Sequence, residues 1–157
     1  MTDNQARPVQ DARLRDEASR QAQANVSPRI LVVDDEKEIR HFNTSALRRS
    51  GYEVDAVEDG AAAWDILQRN CYRLLITDFQ MPKVNGVELL KKVRAARMAL
   101  PVIIATATPL AVESAINPGL VPNAVLLKPY TFQKFMGTVE TVLRATADLR
   151  ENPEPGK

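Results

Sequence analysis

From Arg29 to about Leu149 the chain repeats one pattern five times: a short apolar run, largely β-branched, followed by a segment with apolar residues at helical spacing. Continuous apolar strands are covered on both faces, so the alternation predicts βα units around a parallel sheet. The strands are expected at Ile30–Val33, Glu53–Val57, Arg73–Thr77, Val102–Ala105 and Ala124–Leu127. Behind the first run, Ile39, Phe42, Ala46 and Leu47 share a helix face that Gly51 terminates, and Glu36 and Glu38 suit the helix's first turn. Asp59 and Gly60 introduce a short helix carrying Ala63, Trp64 and Leu67, and another helix begins near Val87. The fourth helix must be short, because Pro118 and Pro122 cannot lie in a helix interior. The last shows Phe132, Phe135, Val139, Val142 and Thr146 at three- and four-residue spacing.

At 157 residues the chain is worth one domain, and 45% hydrophobic with 26% charged side chains is an ordinary globular balance. Residues 28–149 form that domain, 150–157 a C-terminal tail, and 1–27 an N-terminal tail read as mobile or as a loosely helical arm. Only Val9, Leu14 and Val26 are large apolar residues in that first segment, too few to offset much ordering entropy. The 21 basic and 20 acidic side chains nearly cancel, which argues against a nucleic-acid or anionic-membrane partner, although a binding face can hide in a neutral total. A single cysteine, Cys71, and no signal peptide or spanning apolar run make the cytoplasm the expected location.

In an open parallel α/β sheet the loops at the carboxyl ends of the strands converge on one crevice. Asp34 and Asp35 follow strand one, Asp78 strand three, Thr106 strand four and Lys128 strand five, so all five are expected in one pocket. Carboxylates crowded together repel and hold their protons more tightly unless a cation joins them. A hard, oxygen-seeking ion such as Mg²⁺ fits such a set. Asp78 could then attack a phosphoryl group, with the ammonium and the hydroxyl holding phosphoryl oxygens.

Four motifs carry a resemblance: VVDDE at Val32–Glu36, TDFQMPKVNG at Thr77–Gly86, PVIIATA at Pro101–Ala107 and KPY at Lys128–Tyr130. In this order and spacing the chain resembles the receiver domain of bacterial response regulators. The resemblance implies a doubly wound, flavodoxin-like (βα)5 fold with five parallel strands in the order 2-1-3-4-5. It makes Asp78 the phosphoacceptor, Asp35 a direct Mg²⁺ ligand, Asp34 a ligand through water and Gln80 a ligand through its backbone carbonyl. Thr106 becomes the switch hydroxyl and Lys128 the phosphoryl clamp, while Gln80 and Thr108 tune how long the aspartyl phosphate survives. A histidine kinase or phosphotransfer protein is the implied donor, and an output protein the implied receiver of the signal. Few residues follow the fifth helix, so a single-domain regulator acting by protein contacts is expected, with homodimerisation left open.

Two departures stand out. Where the family usually carries an aromatic switch residue, three positions before the lysine, this chain has Val125, and NPGLVPN at Asn117–Asn123 replaces the end of the fourth helix. Signalling through a modified fourth-helix face is therefore expected. Two other classes compete: a haloacid-dehalogenase-type phosphatase, which resembles this site but needs a second acid where Gln80 stands, and a receiver-shaped module that is never phosphorylated. His41, Trp64 and Cys71 have bland readings as a surface, a packing and a helix-end residue.

Overall fold

The computed structural model describes residues 12–15, 17 and 28–151. Residues 12–15 and 17 are helical, and the rest of the expected N-terminal tail, like residues 152–157, lies outside the described residues. The domain alternates β1 (Arg29–Val33), α1 (Lys37–Arg49), β2 (Glu53–Val57), α2 (Gly60–Leu67), β3 (Leu74–Asp78), α3 (Gly86–Ala95), β4 (Val102–Thr106), α4 (Pro109–Ala115), β5 (Ala124–Leu127) and α5 (Phe132–Glu151). The strands form one sheet in the order β2-β1-β3-β4-β5, with every neighbouring pair parallel. This is the flavodoxin-like doubly wound arrangement, and its order reverses beside β1, where a crevice must open.

Side chains alternate across the central strands and build two cores. Ile30, Val32, Leu74, Ile76 and Ile103 pack with Leu47, Phe135 and Val139 on the α1/α5 side. Leu31, Val33, Leu75, Val102 and Ile104 pack with Leu67, Leu90, Val93 and Val112 on the other. Each such side chain, removed from water, contributes roughly 1.5–3 kcal/mol before entropy is charged against it. No helix of the described residues is long and apolar enough to cross a membrane.

Several boundaries differ from the sequence expectation, and β1 begins at Arg29 rather than Ile30. β3 begins at Leu74 rather than Arg73 and runs through Asp78, and β4 runs through Thr106. The ladder continues because Asp78 pairs with Ala105, the Phe79 N–H bonds the Ala105 carbonyl and the Lys128 N–H bonds the Thr106 carbonyl. Asp78 and Thr106 are thus last strand residues, held more firmly than loop residues. Glu36 is the N-cap of α1 and not part of its first turn.

The helix before NPGLVPN does stop early, at Ala115. The following segment is anchored by buried Leu120 and by Asn123, whose side-chain oxygen accepts from the Val102 N–H at 2.9 Å and the Arg94 guanidinium at 3.2 Å. Trp64 is half-buried beneath the Lys92 ammonium, 5.6 Å from the ring centre, and His41 and Cys71 are exposed.

Candidate functional site

The β1–α1 turn is set by Asp34. Its Oδ1 accepts the Glu36 N–H at 2.9 Å, its own N–H bonds the Val57 carbonyl at 3.2 Å, and Arg40 reaches back from α1 to its carbonyl at 2.7 Å. Asp34 is 1% exposed, whereas the adjacent Asp35 faces solvent. Residue 78 is placed differently, at the end of a strand buried along its whole length. Its Oδ1 accepts the Phe79 N–H at 2.9 Å.

The loop that follows folds back because Gly86 donates its N–H to the Phe79 carbonyl at 2.9 Å. A Cβ at Gly86 would run into the Asp78 carbonyl oxygen, so only glycine permits that approach. Asn85 then starts α3 with a capping box: its side chain accepts the Glu88 N–H, and Glu88 accepts the Asn85 N–H.

These ends meet around one ammonium group. Lys128 Nζ lies 3.1 Å from Asp34 Oδ2, 3.1 Å from Asp78 Oδ1 and 3.8 Å from Glu36 Oε1. Asp34, Asp35 and Asp78 bring one carboxylate oxygen each to within 4.8 Å of one another. An open cleft of about 660 Å³ is lined by Asp35 and Asp78 together with Gln80, Asn85, Thr106 and Lys128. Thr106 Oγ1 accepts the Thr108 N–H at 2.9 Å and lies 3.3 Å from the Thr108 hydroxyl.

Burial is the main reason that the Asp78 carboxyl is pushed up to about 6; Lys128 opposes the rise, and Asp34 and Asp35 add to it. Burial works against the Lys128 charge too, but Asp34 and Asp78 outweigh it and raise its pKa. A single ammonium therefore does not fully neutralise the carboxylates it touches. A divalent ion would, and an all-oxygen donor set of this kind suits Mg²⁺.

The structure thus brings together Asp34, Asp35, Asp78, Gln80, Thr106 and Lys128, and places Thr108 behind Thr106. Val125 lies elsewhere, 41% exposed on β5 opposite Ile104 in the ladder. Glu36, Arg40 and the Phe79 N–H also act at this site, and the sequence reading passed over that role. Glu36 follows the acidic pair directly, and Arg40 stands one helical turn later, which is the signal that was available.

The response regulator receiver domain family matches residues 30–140. The chain is 38% identical to a chemotaxis protein CheY homolog of Campylobacter jejuni over 73% of its own length and 92% of that protein's. It is 29% identical to the transcriptional regulatory protein CusR of Escherichia coli over 76% of its own length, but it spans only 52% of CusR. Among solved structures, the response regulator TrrA of Thermotoga maritima superposes with a TM-score of 0.66 at 28% identity, over 73% of this chain and 98% of that one. The match to the family along most of the sheet and its crevice shows that this chain belongs to the response regulator receiver domains of two-component systems.

Proposed function

We propose that Asp78 accepts a phosphoryl group from the phosphohistidine of a histidine kinase or phosphotransfer protein, in a Mg²⁺-dependent reaction. The observation that carries this reading is the Lys128 ammonium held at 3.1 Å from both Asp34 and Asp78, with Asp35 beside them. Oδ1 of Asp78 is engaged by Lys128 and the Phe79 N–H, which leaves Oδ2 as the attacking oxygen. Its bond to phosphorus forms as the phosphorus–nitrogen bond breaks, and the electron pair returns to the donor imidazole, which takes up a proton.

Asp34, Asp35, Asp78 and the Gln80 backbone carbonyl would hold the ion, which when bound neutralises charge on the phosphoryl oxygens. The TrrA crystal structure is a complex with Mg²⁺ and BeF, which supports the same chemistry here. Lys128 then takes one phosphoryl oxygen, and Thr106 leaves Thr108 to reach another. That movement draws on the β4–α4 loop, so the output face includes α4, the proline-punctuated segment and exposed Val125. With no aromatic ring at Val125 to follow the hydroxyl, the signal passes through the loop itself. The output is a change in affinity for a protein partner, for which about 1–3 kcal/mol of coupling suffices. We place this exchange in the cytoplasm.

The phosphatase reading lacks its acid: Gln80 is an amide at the position that must carry one. Intact mass after incubation with a small phosphodonor tests the proposal. A gain of one phosphoryl group that needs both Mg²⁺ and Asp78 is expected, and no gain in a folded wild type would make the chain a non-phosphorylated binding module.

A further inference from the structure

A second groove, of about 600 Å³, is lined by residues of α1 and of β2, the end strand of the sheet. Four cationic side chains line it, Arg29, Lys37, Arg40 and Arg48, against a single carboxylate, Asp55. Asp55 is already committed, to Arg29 at 2.7 Å and to the Tyr72 hydroxyl at 2.6 Å. Lys37 has no carboxylate partner among the described residues. Arg40 and Arg48 each spend one donor on a backbone carbonyl, of Asp34 and Val54, and neither has a carboxylate partner among the described residues. A guanidinium has five N–H donors, so most remain unused.

Thr44 lies between the two arginines, one helical turn from each. It lines the groove, is 8% exposed, and its hydroxyl is the one buried side-chain polar atom without a hydrogen-bond partner among the described residues. An orphaned hydroxyl costs free energy that an arriving acceptor would recover. The cationic stripe from Lys37 to Arg48 extends about 16 Å along the helix, longer than one phosphate and matched to several joined in a row.

We propose that this groove binds a small molecule carrying two or more linked phosphates, seated over Thr44 between Arg40 and Arg48. Linked phosphates are favoured over a lone carboxylate because they carry more charge and more acceptor oxygens, enough to engage several of these cations and the Thr44 hydroxyl at once. The groove shares Arg40 with the acidic turn, since that residue also holds the Asp34 carbonyl. Occupancy is therefore positioned to alter the geometry of the cleft.

Titration calorimetry of the full chain with sodium tripolyphosphate, at constant ionic strength and with EDTA present, tests this. One site is expected, binding tripolyphosphate at least about tenfold tighter than inorganic phosphate, and weakened about tenfold or more by Arg48→Gln. Lys128→Gln should leave that binding in place. Should Arg48→Gln fail to fold, Lys37→Gln serves, because Lys37 is exposed. Thr44→Val gives a signature that a merely structural threonine would not: the free protein melts at a higher temperature while tripolyphosphate binds more weakly. Three results would overturn the proposal: affinity no greater than for inorganic phosphate, binding lost in Lys128→Gln but kept in Arg48→Gln, or tighter capture of a polyglutamate peptide. Transfer of a phosphoryl group to Asp78 is read separately by mass, so the two proposals fail independently.

Discussion

Replacing Asp78 by asparagine keeps the size of the side chain, removes its ability to ionise and leaves one oxygen to accept the Phe79 N–H. The folded carboxyl holds its proton up to about pH 6, against an ordinary value of 3.8, chiefly because it is buried. The folded state therefore binds the proton more tightly than the unfolded state. Below about pH 3 both states are protonated and nothing is lost. As pH rises from there to about 6, the unfolded carboxyl ionises first and stability falls. Above that range the full cost remains, about 3 kcal/mol by linkage. Asp78 is 7% exposed, so solvent screening removes little of it. Asp78→Asn should consequently stabilise the metal-free domain by about 3 kcal/mol at pH 7.5, or roughly 10 °C in melting temperature, and by almost nothing at pH 3. Urea unfolding of both proteins in EDTA at the two pH values measures the difference. Equal midpoints at pH 7.5, or a less stable variant, would refute the claim that burial and carboxylate crowding outweigh Lys128.

Mg²⁺ at a hundredfold excess over its dissociation constant should stabilise the wild type by about 2.7 kcal/mol and Asp78→Asn by much less, read as a shift in melting temperature. Lys128→Met leaves buried Asp34 without its cation; a loss of about 3–5 kcal/mol at pH 7.5 that shrinks as the pH falls and the carboxyls protonate is expected in urea unfolding. Gly86→Ala forces a Cβ against the Asp78 carbonyl and should cost about 1–3 kcal/mol while lowering phosphoryl uptake, because the loop carrying Gln80 must shift. Hydrogen exchange with and without a phosphoryl mimic should show changes extending through residues 108–123 into β5. Changes confined to Pro109–Ala115 would remove the loop from the output face.

Much of the architecture is legible in the chain, for reasons that are local. The runs of β1, β3 and β4 are apolar enough to read as strands covered on both faces, Gly51 and the prolines end helices by sterics, and the residue after each run must arrive at the carboxyl edge of the sheet. That logic gathers Asp34, Asp35, Asp78, Thr106 and Lys128 before any coordinates are known. The order of the strands is not local: it depends on which crossovers fit, and it came from the family resemblance. The ends of β3 and β4 were misjudged by one residue because a ladder stops where its neighbour stops, and the neighbour is distant in sequence.

Sequence by itself therefore determined the chemistry available to this protein: a strand-end aspartate, an acidic pair, a hydroxyl and an ammonium, each delivered by a strand to the same edge. Tertiary structure alone decided how they act on one another. Lys128 meets Asp34 across 94 positions of chain, and the burial that raises Asp78 comes from layers contributed by the whole sheet. The same is true of the second groove, where Lys37, Arg40 and Arg48 read as an ordinary solvated helix face. Only packing against β2 reveals them as cations without carboxylate partners, around a hydroxyl without a hydrogen-bond partner, among the described residues, because charge balance and hydrogen bonding depend on distances that sequence separation does not contain.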